Sequence, residues 1–294
     1  MTGRSLVFGG DDHWRDRHVV VTGGSRGIGR AICGELATRG ARVSMIARNS
    51  LQLAAAAREC GARWSSADVT DEEGLQNAVR SLTERAGPCD VLISCAGLGI
   101  PGMVGDLSSD DIRIQLHTNY LGAVNAARAV LPTMVAQGHG RIVLTSSTAG
   151  LVSVIGFAGY CPTKAAVRMF ALALDQELVG TGVRISTVYP PDTDTPGLAV
   201  ENLRKPAVTQ AVSGTIRVRS AAEVARRTIR GIERDRRNIT MDPLTTVLVR
   251  WANGPDFAAR LVTRRTIARH RQLDNLTGTV ESAEGAANPY ARTL

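Results

Sequence analysis

The segment from Val19 to Asn49, VVVTGGSRGIGRAICGELATRGARVSMIARN, leaves few folds open to this chain. It reads as a short β-branched strand, a glycine turn, a helix with apolar residues at helical spacing, and a second strand. Two strands joined through a helix run parallel, and parallel sheets need helices on both faces. Gly23, Gly27 and Gly29 fall in the turn, where the backbone must approach a ligand closely and then open a helix. The free N–H groups and positive end of that helix form an anion site. With a strand before the glycines and a helix after them, the context is that of a bound dinucleotide.

The same alternation continues along the chain. Strands are expected near 18–22, 42–47, 62–66, 90–95, 141–146 and 183–189. Helices are expected near 27–39, 50–60, 71–86, 107–136, 159–179 and 220–234. Gly40, Gly61, Gly87, Gly138 and Gly182 stand just past helix ends, where a left-handed residue commonly closes the helix. The fold expected is α/β: one Rossmann-type, doubly wound parallel sheet over 17–242, with a helical C-terminal extension. Residues 1–16 form an N-terminal arm, 195–220 a short helix and loop, 243–273 a basic helical extension, and 274–294 a polar, aperiodic tail expected to be disordered.

Chemistry is suggested by YCPTK, where Tyr160 and Lys164 are one helical turn apart and share a face. A phenol is a poor acid or base near neutrality, and a neighbouring cation favours its ionised form. A serine pair, Ser146 and Ser147, precedes Tyr160 and Lys164, with Ser146 read as a strand-end residue.

Charge at the end of the second strand bears on the choice of dinucleotide. An acidic residue there would bond the ribose hydroxyls and repel a 2′-phosphate. This chain has Arg48 and Asn49 instead, with Ser25 and Arg26 in the glycine turn. Two guanidinium groups suit a phosphate dianion, so NADPH is expected over NADH, and reduction over oxidation.

Other classes are disfavoured. Five cysteines without a CxxC pair argue for reduced thiols in a cytoplasmic setting, and five scattered histidines give no metal site. No leader is expected in the first 18 residues, and no run reaches the roughly 18 apolar residues of a membrane span. The net charge of +8 is uneven: from Arg217 to Arg271 there are 14 arginines against 5 acids. That stretch points to an anionic partner or to a solvated basic face. Within it, Phe257 to Arg271 reads as a basic amphipathic helix that could lie on an anionic bilayer, or pack on protein. Aromatic residues make up only 4%, few for stacking bases, so no nucleic-acid partner is expected.

Taken together, TGGSRGIG, Asp68-Val69, Ala96-Gly97, Asn119, Ser147 and YCPTK resemble the short-chain dehydrogenase/reductases in order and spacing. YPPDTDTPG (Tyr189–Gly197), with Glu201-Asn202 and Lys205-Pro206, resembles the 3-ketodihydrosphingosine (3-dehydrosphinganine) reductase branch, since most relatives have Pro-Gly at Pro190-Pro191. The resemblance implies that Tyr160 protonates a ketone, that Ser147 bonds its oxygen, and that Lys164 lowers the phenol's pKa and holds the nicotinamide ribose. It implies further that Asn119 holds a water behind Lys164. Cofactor contacts are implied for Gly23, Ser25, Arg26, Gly27, Ile28, Gly29, Arg48, Asn49, Asp68, Val69, Ala96, Gly97, Tyr160, Lys164, Pro190, Thr193 and Thr195. Asp68 and Val69 would hold adenine, and Thr193 and Thr195 the carboxamide. Asp192 and Asp194, beside those threonines, could instead cap the following helix. Ser94 and Cys95 replace two asparagines usual in the family, putting one contact of the central sheet in doubt. A substrate lid over 195–220 and a homo-oligomer, dimer or tetramer, are also implied. The substrate expected is a 3-keto sphingoid base or similar long-chain 3-oxo compound. Alternatives are a steroid, a 3-oxoacyl thioester, a specialised metabolite, or a role as an NADPH-binding scaffold that recruits a partner through the basic segment.

Overall fold

The computed structural model describes residues 13–214, 217–254, 256, 263 and 266. Contacts divide the chain into two compact units, Met1–Gly254 and Pro255–Leu294. Most of the expected amphipathic stretch Phe257–Arg271, and all of the tail 274–294, fall outside the described residues.

The chain alternates as its periodicities require. It runs β1 (His18–Thr22), α1 (Gly27–Thr38), β2 (Arg42–Ala47), α2 (Ser50–Glu59), β3 (Arg63–Ser66), α3 (Glu72–Ala86) and β4 (Val91–Ser94). There follow α4 (Ser109–Leu116), α5 (Gly122–Gln137), β5 (Gly140–Thr145), α6 (Cys161–Glu177) and β6 (Val183–Tyr189). The last part comprises β7 (Thr193–Asp194), α7 (Pro196–Arg204), α8 (Ala207–Ser213), β8 (Arg219–Ser220), α9 (Ala221–Glu233), β9 (Asn238–Thr240) and α10 (Pro243–Ala252). Seven strands form one sheet in the order β3-β2-β1-β4-β5-β6-β9, every pairing parallel. The doubly wound fold expected from the sequence is therefore present.

Successive strand residues face opposite layers of helix. Val20, Ile46, Leu92 and Ile142 join a core with α3, α5 and α6, whereas Val19, Val21, Met45 and Ile93 join one with α1, α2 and α9. Helix α3 shows the local logic. Asp71 caps its first turn through the Gly74 N–H, and Leu75, Ala78, Val79 and Leu82 recur at helical spacing on the buried side.

Two features depart from expectation. The helix expected over 107–136 is two helices joined by a π-helical turn, His117–Leu121, which carries Asn119. A seventh strand, β9, extends the sheet through pairing with β6, and the short pair β7–β8 brings the segment after β6 beside the start of α9.

Residues at the end of the N-terminal arm are anchored firmly. Trp14 is buried in the second core, and its indole Nε1 donates to Glu233 at 2.8 Å, at the end of α9. Trp14→Ala is expected to lower the unfolding free energy by about 3–5 kcal/mol, read by urea denaturation. Trp14→Phe should retain most of that stability, losing chiefly the hydrogen bond to Glu233.

Candidate active site

The order of strands reverses between β1 and β4, and the crevice above their carboxyl ends is where such sheets bind ligands. A cleft of about 440 Å³ opens there, lined at one end by the glycine turn and at the other by Ser147, Tyr160 and Lys164. Both glycine ends of the turn are sterically obligatory. Gly23 has φ +70°, and a Cβ there would lie 2.8 Å from the Ala96 Cα. A Cβ on Gly29 would lie 2.3 Å from the Gly23 carbonyl oxygen. The contact left in doubt by Ser94 and Cys95 is made from the opposite side. The Thr22 hydroxyl accepts from Cys95 N at 3.2 Å and Ala96 N at 3.4 Å, holding the β4 loop against β1.

The four residues expected to carry chemistry come together. Tyr160 ends the loop before α6, and Lys164 is buried in that helix, its ammonium 5.7 Å from the Tyr160 ring centroid. The Lys164 ammonium donates to the Thr145 carbonyl at 3.0 Å, and burial draws it down to about 8. Ser147, just beyond β5, donates to the Pro190 carbonyl at 3.3 Å and hydrogen-bonds the Tyr160 side chain. Ser146 is committed to the scaffold: its hydroxyl donates to the Lys164 carbonyl at 2.8 Å and ties β5 to α6.

Two of these residues have surroundings that the sequence did not indicate. The phenol is not lowered: burial, and next the Glu201 carboxylate, hold Tyr160 above its ordinary value, with Ser147 opposing. Desolvation of the phenolate outweighs a cation held this far from the ring. Asn119 spends its side chain on protein. Its amide nitrogen donates to the Leu98 carbonyl at 2.9 Å and the Thr163 hydroxyl at 3.0 Å, and its oxygen accepts from Leu98 N at 2.9 Å. It therefore positions the β4 loop against α6, with one lone pair of its amide oxygen beyond these three bonds.

At the other end of the cleft, Arg26, Ile28, Arg48, Asn49, Val69, Ala96 and Gly97 line the wall, together with Ser25 and Gly27. Asn49 also caps α2, accepting from Gln52 N at 2.9 Å. Asp68 is not among the lining residues. Its carboxylate accepts from Thr70 N and the Thr70 hydroxyl, both at 2.9 Å, and pairs with Arg48 at 3.5 Å. The short carboxylate thus reaches its own backbone and Arg48, beside the lining residue Val69. Pro190, Thr193 and Thr195 line the middle of the cleft. Thr195, not Asp192 or Asp194, caps α7, accepting from Leu198 N at 3.1 Å.

A charged group missed as functional lies across from the phenol. Glu201, on α7, lines the cleft, accepts from the Gly99 N–H, and is pushed up to about 7 by burial and then by Asp192. Lys205, almost fully buried, pairs with Asp192 at 3.4 Å and lies 5.8 Å from the Phe157 ring centroid. In sequence, Glu201 and Lys205 have the spacing of an ordinary helical ion pair, which conceals that each faces a different partner.

The glycine geometry fits a dinucleotide: any side chain at Gly23 or Gly29 would block the close approach the turn provides. Asn119→Ala should lower stability by about 1–3 kcal/mol, because the Leu98 N–H and C=O lose their partner. Unchanged stability in denaturant, with turnover alone reduced, would return Asn119 to a purely catalytic role.

The short chain dehydrogenase family model matches residues 17–205. The chain is 38% identical over 223 residues to a 3-ketodihydrosphingosine reductase of Bos taurus, covering 72% of this chain and 67% of that one. It is 37% identical over 219 residues to a 3-dehydrosphinganine reductase of Danio rerio, covering 71% and 66%. The matches thus span about two thirds of these relatives' length. Among solved structures, the actinorhodin polyketide ketoreductase with NADPH is similar at TM-score 0.70 and 28% identity, covering 76% of this chain and 95% of that one. Levodione reductase is similar at TM-score 0.70 and 25% identity, covering 78% and 97%. Sequence motifs, sheet order and cleft agree with these likenesses: the chain belongs to the short-chain dehydrogenase family and is an oxidoreductase that uses a nicotinamide cofactor.

Proposed function

We propose that this chain reduces the ketone of a 3-keto sphingoid base, or a similar long-chain 3-oxo compound, to a secondary alcohol with NADPH. One observation carries the reading: a single cleft is lined by the glycine turn and by Ser147, Tyr160 and Lys164, so cofactor and acid meet in one place. The relatives named as 3-ketodihydrosphingosine and 3-dehydrosphinganine reductases support the substrate class. So does the apolar flank of the cleft, where Val154 and Phe157 line the wall and Met103, Ile155, Val208 and Val212 are exposed nearby.

Held along the glycine turn and by Lys164, a reduced nicotinamide would supply hydride to the ketone carbon. Tyr160 gives its phenolic proton to the ketone oxygen as charge develops there, and Ser147 donates a hydrogen bond to that oxygen. The burial that raises the phenol keeps it protonated before the reaction, the form a reduction requires. Lys164, charged and held beside the ring, stabilises the phenolate that results. Tyr160→Phe should therefore reduce kcat by at least about a hundredfold, the usual contribution of a positioned acid, while cofactor binding by fluorescence titration persists. Activity retained within about tenfold would remove the phenol from the mechanism.

NADPH in place of NADH is supported by Arg26 and Arg48 on the cleft wall and by the absence of an acid among its lining residues at the end of β2. Arg48 would hold the 2′-phosphate, exchanging its partner Asp68 for a dianion. Arg48→Asp should shift the NADPH-to-NADH affinity ratio at least tenfold toward NADH, as expected for loss of a charge-assisted contact of about 1.5–3 kcal/mol. An unchanged ratio in paired titrations would place the phosphate elsewhere.

A further inference from the structure

Glu201 is a charged side chain of the cleft that the reduction itself leaves unused. Its carboxyl group packs onto the backbone after β4, where a Cβ on Gly99 would come within 2.9 Å of the carboxyl carbon, and it accepts the Gly99 N–H. The cations around it are already engaged. Lys205 pairs with Asp192 at 3.4 Å, and the Lys164 ammonium donates to the Thr145 carbonyl at 3.0 Å. Arg204, the next basic residue on α7, points away to Asp111 at 3.2 Å. Among the described residues, no side chain forms a salt bridge with Glu201.

A carboxylate kept in a partly dry cleft without a salt bridge is unfavourable by itself, and a cation brought beside it offsets that penalty. The position of Glu201 says where that cation belongs. It influences the Tyr160 phenol more than any other charged group does, second only to burial. Glu201 and Tyr160 line the same cleft, so a ketone oxygen bonded to the phenol would bring the substrate's neighbouring carbon atoms into space that the carboxylate also borders.

Resting on the reading of the chain as a ketone reductase, we propose that Glu201 is a specificity-determining residue whose carboxylate receives a protonated amine on the carbon next to the ketone. The 3-keto sphingoid base proposed above carries such an amine, whereas a ketone lacking it leaves Glu201 unpaired. Charge pairing of this kind discriminates strongly, because the wrong ligand strands a desolvated group.

The groups facing Glu201 are Asp192 from the loop after β6, Lys205 from the end of α7, and Tyr160 and Lys164 from the start of α6. Its carboxyl group, raised to about 7 by burial first and then by Asp192, ionises as pH rises through neutrality. The amine is bound by the ionised form, so KM for an amino ketone should fall as pH rises through about 7.

The test measures NADPH oxidation by the full-length protein with two ketones of equal chain length, a 2-amino-1-hydroxy-3-ketone and its des-amino counterpart. Wild-type enzyme should favour the amino ketone in kcat/KM by at least about tenfold, the scale of one charge-assisted contact. In Glu201→Gln, nearly the same size and shape, the ratio of the two kcat/KM values should fall at least about tenfold, mostly through KM, and the fall of KM with pH should vanish. The ratio is unaffected by a general loss of folded enzyme or of α7 docking, which would lower both rates together. A ratio that stays within about twofold of wild type overturns the assignment and leaves Glu201 as a latch between α7 and Gly99. Equal use of both ketones by wild-type enzyme overturns it as well, with the reductase reading intact. Turnover of neither ketone sinks the reductase reading and the Glu201 assignment with it.

Discussion

Everything in this molecule depends on a place where backbone touches backbone. Between β1 and β4 the strand order reverses, and the loop after each strand has to pass the other with no side chain between them. Gly23 against Ala96, and Gly29 against the Gly23 carbonyl, bring three segments to contact distance. Thr22 locks the crossing by accepting from two successive N–H groups of the β4 loop. The crevice that results is narrow at its floor and open above, and α1 begins there with its N–H groups free. Widening it by one methyl group would separate the strands that place the chemistry at its other end.

That other end is organised from the far side by Asn119 and Ser146. Asn119 holds the β4 loop to α6 through Leu98 and Thr163, and Ser146 holds β5 to α6 through the Lys164 carbonyl. The strand ends and the helix bearing Tyr160 and Lys164 are thus fixed by buried polar bonds, whose partners would be costly to leave unsatisfied. The π-helical turn at His117–Leu121 is what aims Asn119 at both. Pre-organisation of the acid comes from this scaffold, not from a change in the phenol's own acidity.

What could be read from the sequence was what short-range patterns decide. A run such as Val19–Val21 has to be buried, Gly23 and Gly29 have to be bare, and Leu75, Val79 and Leu82 have to share a face. The Tyr160–Lys164 spacing likewise defined a site before any packing was known. Less legible was how partners compete. Asn49 and Asp68 have local backbone N–H groups within reach, and a cap and a turn occupy them as well. Strand β9 is only three residues long with one buried apolar side chain, Ile239, so it has almost no periodicity to detect. The role of Glu201 was invisible because it depends on how α7 folds back over Gly99, a contact between segments far apart in the chain.

Helix α7 is attached in an unusual way for a helix beside a reaction centre. None of its nine residues is buried, and it contributes nothing to either hydrophobic core. It is held by the Thr195 cap, by Arg204 on Asp111, by Glu201 on Gly99, and by the Lys205–Asp192 pair just beyond its end. Among these, the Arg204–Asp111 pair has its arginine half exposed and is screened over about 8–10 Å at physiological ionic strength, whereas the Lys205–Asp192 pair, with its lysine almost fully buried, is screened much less. Dissolved ions thus weaken the outer end of this attachment more than its inner one, and leave the apolar floor beneath untouched.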